Sequence, residues 1–543
     1  MGFKVCFFVF LGCLLLVPET TMAQDTKHAS IIIEGASRIT ETDENFVCAT
    51  LDWWPHDKCN YNNCPWGYSS VINMDLTHPL LAKAVQAFRP LRIRIGGSLQ
   101  DQVIYDVGNL ETPCRPFGKT SSGLFGFSKG CLHMKRWDEL NSFLTATGAV
   151  VTFGLNALHG RHKLRGNAWG GAWNHRNTQD FINYTVSKGY AIDSWEFGNE
   201  LSGSGVGASV SAELYGKDLI VLGDVINKVY KDSRLCKPSL IAPGGFYEQQ
   251  WYTKLLQISG PGVVDIVTHH IYNLGSGNDP QLVKKIMDPS YLSKVSETFK
   301  DVNKTIQEHG PWASPWVGES GGAYNSGGRH VSDTFIDSFW YLDQLGMSSR
   351  HNTKVYCRQT LVGGFYGLLE KGTFVPNPDY YSALLWHRLM GKGVLAVQKD
   401  GPPQLRVYAH CSKGREGVTM LLINLSNHSD FTVSVSNGVN VFLNTESTKK
   451  KSLLDTLKKS FSWIGRKASD GYLNREEYHL SPKDGDLRSK IMLLNGNPLE
   501  PTATGDIPNL EPVRHSVKSP VYINPLSISF IVLPAFDAPA CSS

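Results

Sequence analysis

From residue 46 to about residue 391, short apolar runs alternate with longer stretches whose apolar positions recur every three or four residues. The runs at 46–51, 91–95, 150–155, 192–197, 240–242, 264–269, 315–318 and 355–361 read as buried strands. Helical spacing covers 80–88, 136–147, 178–188, 212–231, 252–258, 291–308 and 335–345, and a last helix at 380–390 follows Pro376-Asn377-Pro378. Eight β/α units in order imply parallel strands, and eight is the number that closes a (β/α)8 barrel in the α/β class. A doubly wound open sheet accepts the same alternation, but no Gly-x-Gly-x-x-Gly turn follows the first strand.

In a barrel the carboxyl ends of the strands share one mouth. Those ends carry Asp52, Gly96-Gly97-Ser98, Asn156, Asn199-Glu200, His269-His270, Glu319 and Gly363-Gly364, almost all polar or glycine. Beyond residue 392 the texture changes to short strand-like runs at 394–397, 405–410, 418–424, 431–435, 441–443 and 527–533, which predict an antiparallel β-sandwich. The organisation expected is therefore a leader at 1–23, a segment at 24–45 whose run 30–33 adds a strand to the sandwich, a barrel at 46–391 and a sandwich at 392–543. A lysine-rich amphipathic insertion near 446–475 interrupts the sandwich. It reads as a solvated loop or helix, or as a peripheral contact for a membrane or an anionic polysaccharide.

Composition narrows the class. The 543 residues are 41% hydrophobic and 19% charged, with a net charge of +4, which describes a globular chain without the concentrated basic face of a nucleic-acid binder. Lys4, the apolar run 5–17 and Thr21-Met22-Ala23 have the form of a secretory signal, too short to span a membrane comfortably. The expected route is secretion to the extracellular space. Sequons at Asn183, Asn303, Asn424 and Asn427 agree with that route, although the last two are too close for joint occupancy. Beyond the leader, nine cysteines remain, an odd number in an oxidising compartment. Cys59 with Cys64 and Cys114 with Cys131 are the preferred pairs, with a zinc clasp as the competing reading for the first.

The chemistry rests on two glutamates, in Trp195-Glu196-Phe197-Gly198-Asn199-Glu200 and in Trp316-Val317-Gly318-Glu319-Ser320-Gly321-Gly322. A carboxylate at the end of a buried strand is costly unless chemistry uses it, and two of them suit glycoside hydrolysis by a general acid and a nucleophile. Glu200 is expected as acid/base, its pKa raised by an ionised Glu319 nearby, and Glu319 as nucleophile. The plainer reading makes both ordinary strand-end acids capping a helix. Glu196, four residues before Glu200, reads as a deeper structural acid. His269-His270 invites a metal, but no partner at ligand spacing supports one, and no cofactor is called for. Trp53, Trp54, Trp169 and Trp173 are either sugar-stacking or core.

The frame around Glu200, together with Thr268-His269-His270-Ile271-Tyr272-Asn273, Trp316-Val317-Gly318-Glu319 and Arg358-Gln359, resembles glycoside hydrolase family 79, the heparanase and β-glucuronidase family, and its plant heparanase-like members above all. The likeness covers nearly the whole chain beyond the leader. It implies a retaining mechanism, sugar contacts from Asp52, Ser98 and Asn199, and a Tyr272 that orients Glu319. It also implies that a glucuronate carboxylate meets the backbone at Asn325-Ser326-Gly327 and Tyr366. Two departures stand out: residues 246–252 carry no arginine where animal members have a basic cluster, and Phe365 replaces a common Asn. The implied partner is a glucuronate-bearing polysaccharide or proteoglycan, of arabinogalactan-protein or heparan-sulfate type. The destination that the resemblance implies is the cell wall, or a lysosome or vacuole. A barrel hydrolase for neutral sugars and a catalytically silent carbohydrate-binding wall protein remain the alternatives.

Overall fold

The computed structural model describes residues 25–110, 112–438 and 474–542. The expected leader lies outside the described residues, as do the run at 441–443 and nearly all of the lysine-rich insertion.

All eight expected strands form and close on themselves. In order they are Val47–Asp52, Arg92–Gly96, Val150–Leu155, Ser194–Phe197, Ser239–Phe246, Ile266–His270, Ser314–Ser320 and Tyr356–Arg358, each parallel to the next. The last strand pairs with the first, Cys357 opposite Cys48, and a disulfide joins those two residues across the seam. Eight helices form the outer ring, and Pro378 opens the last one, Pro378–Leu389, where its missing N–H costs nothing. The helix expected at 291–308 is instead a turn, Pro289–Ser293, capped by Asp288 on the Ser290 N–H, running into Val295–His309.

The barrel interior is layered by strand parity. Its floor is apolar: Ile241, Ile266, Trp316 and Val355 surround the Cys48–Cys357 bridge, with the Arg92 guanidinium 4.7 Å from the Trp316 ring centroid. Two residues further along the same strand, Arg94 enters the next layer, where the polar chemistry begins.

Beyond the barrel, eleven strands among the described residues hydrogen-bond into one sheet. The expected N-terminal strand, Asp25–Glu41, is inserted in its middle, antiparallel to Met390–Asp400 but parallel to Ser429–Asn437, so the sheet is not purely antiparallel. Alternation gives it two apolar faces: Leu421 and Ile423 join the cluster shared with the barrel helices, while Met420 and Leu422 join a separate core with Ile31, Val433 and Ile531. Helix Phe335–Arg350 is buried along almost its whole length because it lies between barrel and sheet. Its Asp343 accepts from Arg406 Nε (2.7 Å) and the Tyr408 hydroxyl (2.6 Å) of the sheet.

Cys59–Cys64 and Cys114–Cys131 are bonded as expected, Cys411–Cys541 is a further pair, and Cys236 is the exposed free thiol. One sequon is corrected. Asn424 is 0% exposed inside a strand, its Nδ2 donating to the carbonyls of Ser429 (2.9 Å) and Asn524 (2.8 Å), so the folded chain has no room for a glycan there. Asn183 and Asn427 are exposed, and Asn303 is half-buried, accepting a bond from Asn352. No helix among the described residues is long and apolar enough to cross a membrane.

Candidate active site

The carboxyl ends of the strands open into a cavity of about 310 Å³. Asp52, Ser98, Glu200, Tyr272, Glu319 and Tyr366 line it, together with Gln359 and Lys58. Asn199 and Gly327, also expected to touch substrate, are not among the lining residues, and Asn156 is spent on capping its own loop through the Leu158 and His159 N–H groups.

Arg94 organises the cavity floor. Its Nε donates to Glu196 Oε2 (2.6 Å), Nη1 to Glu319 Oε2 (2.8 Å) and Nη2 to Asn199 Oδ1 (2.9 Å), all of them buried. Glu196 is thereby the deeper, structural acid. Because Arg94 takes the Asn199 oxygen, the amide nitrogen is the end left for a sugar hydroxyl. The other Glu319 oxygen, Oε1, accepts from the Tyr272 hydroxyl at 2.6 Å. Glu319 is therefore held in a fixed orientation by one charged and one neutral donor.

Glu200 has the opposite environment. Its Oε1 lies 3.0 Å from His270 Nδ1, and burial pushes the Glu200 carboxyl up to about 7 against the opposing pull of Arg94. The direction matches expectation, but the cause is desolvation rather than the charge of Glu319. Burial also pushes His270 down to about 3, so at weakly acidic pH both partners are neutral and the contact is a hydrogen bond, not an ion pair. Glu200 itself sits at φ 55, a left-handed conformation that costs a non-glycine residue about 1 kcal/mol or more and here turns its side chain into the cavity. One oxygen of Glu200 and one of Glu319 lie within 4.8 Å of each other.

The remaining walls are built for polar contacts. Asp52 accepts from Gln359 Nε2 at 2.9 Å, while its other oxygen is buried without a protein partner. Burial, and then the charge of Glu319, hold its carboxyl well above the usual range. Gly97 is obligatory beneath it: φ is +98 and a Cβ would stand 2.9 Å from the Asp52 carboxyl. Asn325, Ser326 and Gly327 are all left-handed, and a Gly327 Cβ would meet the Tyr366 ring at 2.9 Å. The Cys59–Cys64 loop fastens this turn, with Ser326 Oγ donating to Asn60 Oδ1 (2.9 Å) and Asn325 Nδ2 to the Tyr61 hydroxyl (2.8 Å). Lys58 is the one cation among the described lining residues, its ammonium 4.3 Å from the Trp54 ring centroid.

Glu200, His270 and Glu319 also present a geometry in which three atoms can meet a metal ion. Arg94 argues against that use, since its guanidinium already supplies the positive charge at Glu319. The second candidate trio includes Cys114 and Cys131, whose sulfurs are bonded to each other. His269 points away from the mouth and packs edge-on to Phe299. Trp53 and Trp173 are core, whereas Trp54 reaches the cavity wall.

Sequence reasoning gave no role to Arg94, Gln359 or Lys58. For Arg94 the signal was available: Arg92 and Arg94 share the inward parity of a strand otherwise apolar, which places a guanidinium inside the barrel. Lys58 lies in an irregular loop, where periodicity says nothing about direction, and Gln359 falls one residue past the strand Tyr356–Arg358, in a run whose inward parity it shares with Cys357.

Residues 28–346 match the family model described as glycosyl hydrolase family 79, N-terminal domain. Along its whole length the chain is 86% identical to the whole of heparanase-like protein 1 of Arabidopsis thaliana. It is 38% identical to baicalin-beta-D-glucuronidase of Scutellaria baicalensis over 98% of this chain and 97% of that one. Among solved structures, a 4-O-alpha-L-rhamnosyl-beta-D-glucuronidase from Fusarium oxysporum superposes with a TM-score of 0.60 at 16% identity, covering 93% of this chain and 100% of the other, and so shares the fold. The chain belongs to glycoside hydrolase family 79 and is a glycoside hydrolase.

Proposed function

We propose that the protein is a secreted, retaining β-glucuronidase that acts on glucuronate-bearing glycans of the cell surface or wall, such as those of arabinogalactan-proteins. The observation that carries the mechanism is the Glu200–Glu319 approach, within 4.8 Å. Retaining enzymes hold their carboxyls roughly 5–5.5 Å apart, whereas inverting ones need roughly 6.5–9.5 Å to seat a water.

With sugar in the cavity, Glu200 gives its proton to the glycosidic oxygen while a Glu319 oxygen attacks the anomeric carbon. The leaving group departs as an alcohol and the sugar remains as an ester on Glu319. Glu200, now ionised, takes a proton from water, and that water attacks the anomeric carbon and frees Glu319. Arg94 and Tyr272 hold Glu319 throughout, while His270 anchors Glu200 Oε1 so that Oε2 faces the bond being cleaved. Asp52, Ser98 and Asn199 serve the sugar hydroxyls.

Support for a sugar acid comes from the turn at 325–327, the Tyr366 hydroxyl and the charge of Lys58, gathered on one side of the cavity, and from the glucuronide named for the Scutellaria relative. We also read the C-terminal sheet as curling into the two layers of a sandwich, on the strength of its separate apolar core, with the barrel spanning 46–391. Turnover of a chromogenic β-D-glucuronide beside the matching β-D-glucoside tests the function. The glucuronide should be preferred by about a hundredfold or more in kcat/KM, as expected where buried donors go unpaired without the carboxylate. Equal use of the glucoside would remove the sugar-acid reading.

A further inference from the structure

The two sides of the cavity differ in character. Glu200 is fixed by backbone bonds to the neighbouring fifth strand and to the loop that follows Glu200 itself: its N–H donates to Gly244 O (2.7 Å), and its own carbonyl accepts from Val206 N–H (3.0 Å). That strand ends on Phe246, 42% exposed, and the loop carries Val206, 36% exposed, and both side chains line the cavity. Ser202 Oγ holds the Phe246 carbonyl at 2.9 Å, so the exposed ring stands on anchored backbone. Two residues beyond Phe246, Glu248, also exposed and not itself a lining residue, lays its carboxylate against Gly203 in the turn that follows Glu200. Residues 246–252 contain no lysine or arginine, and the lining cation, Lys58, belongs to the loop after the first strand, across the barrel from Phe246 at the end of the fifth.

A proton donor marks the side on which the leaving group departs. We propose that Phe246 and Val206 form the leaving-group subsite, and that it accepts an uncharged leaving group with a flat apolar face while Glu248 turns away anionic ones. The inference rests on Glu200 being the acid, as proposed above. An exposed phenylalanine beside the scissile bond gains only from a partner that covers it, whether an aromatic ring or the C–H face of a neutral sugar. A sulfated or carboxylated leaving group would meet an apolar wall and a like charge, with no cation among the described lining residues on that side to offset either.

The test uses two aryl β-D-glucuronides matched in leaving-group acidity, one neutral and one carrying a carboxylate far from the reacting oxygen. The wild-type chain should prefer the neutral one by about tenfold in kcat/KM. Phe246→Ser should lower kcat/KM about tenfold for the neutral substrate. It should leave the rate of glycosyl-enzyme hydrolysis unchanged, because the leaving group has already gone. Glu248→Gln should raise kcat/KM severalfold for the anionic substrate alone, with the gain vanishing in high salt. Equal handling of the pair by wild type, or equal effects of each variant on both substrates, would overturn the inference while leaving the glucuronidase reading intact. Titrating the same pair onto the Glu319→Gln chain reads the subsite without turnover. If wild type cleaves neither compound, that binding still decides: tighter neutral binding lost in Phe246→Ser supports the inference, and indifference or no binding overturns it.

Discussion

Arg94 Nη1 lies 2.8 Å from Glu319 Oε2 at the buried floor of the cavity, and the same guanidinium holds Glu196 and Asn199. One cation thus fixes the proposed nucleophile, the structural acid below it and the amide beside the proposed acid. Arg94→Lys should keep the charge but lose the fork, lowering kcat/KM by about a hundredfold or more. Arg94→Met should also lower stability by about 3–5 kcal/mol, since two buried carboxylates lose their counterion. Denaturant unfolding beside steady-state kinetics separates the two effects.

Tyr272 supplies the other donor to Glu319, at 2.6 Å. Tyr272→Phe removes one hydroxyl from a ring that the fold leaves partly open, so the fold should survive. Expected is a loss of about ten- to a hundredfold in kcat with little change in melting temperature. An unchanged kcat would deny Tyr272 a role in orienting the nucleophile.

Glu200 predicts a pH dependence. Its carboxyl, raised to about 7 by burial, must be protonated to act as acid, so kcat/KM should fall tenfold per unit above about pH 7. The same shift acts on stability. Between 4.5, its ordinary value, and about 7 the folded chain keeps a proton that the unfolded chain has released. That contribution is complete below 4.5 and is lost as pH rises through 7, on the order of 3 kcal/mol in all. Glu200→Gln carries no such charge and should therefore melt above wild type at pH 8, the gap closing toward pH 4.5. A gap that does not change with pH would contradict the burial account.

Lys58 is the lining cation closest in kind to what a sugar acid needs. Lys58→Met should lower kcat/KM for a β-D-glucuronide by about tenfold, leave any glucoside turnover unchanged, and matter less at high salt. Equal loss on both sugars would make Lys58 a packing residue on Trp54.

The barrel was legible because its strands are short apolar runs between helical periods, and because polar residues recur at their carboxyl ends. Glu200 and Glu319 stood out for the same reason. The cause of the Glu200 shift was not legible, since desolvation depends on what packs around the carboxyl from other strands, here His270 and the loops after Phe197 and Ser239–Phe246. Arg94 was readable by parity and overlooked because it sits among isoleucines. The Asn424 sequon misled: a triplet carries no information on whether its asparagine faces a turn or, as here, the inside of a strand end. The parallel pairing of Asp25–Glu41 with Ser429–Asn437 joins segments some four hundred residues apart, which no local pattern specifies.

Glu200 and Glu319 acting together in a double displacement would retain the configuration at the anomeric carbon. Proton NMR of the first-formed sugar, recorded before mutarotation while a β-glucuronide is consumed, tests it most directly. The β-anomer should form first, with the α-anomer growing in later. The α-anomer first would mean a single displacement by water, and Glu319 would not be the nucleophile.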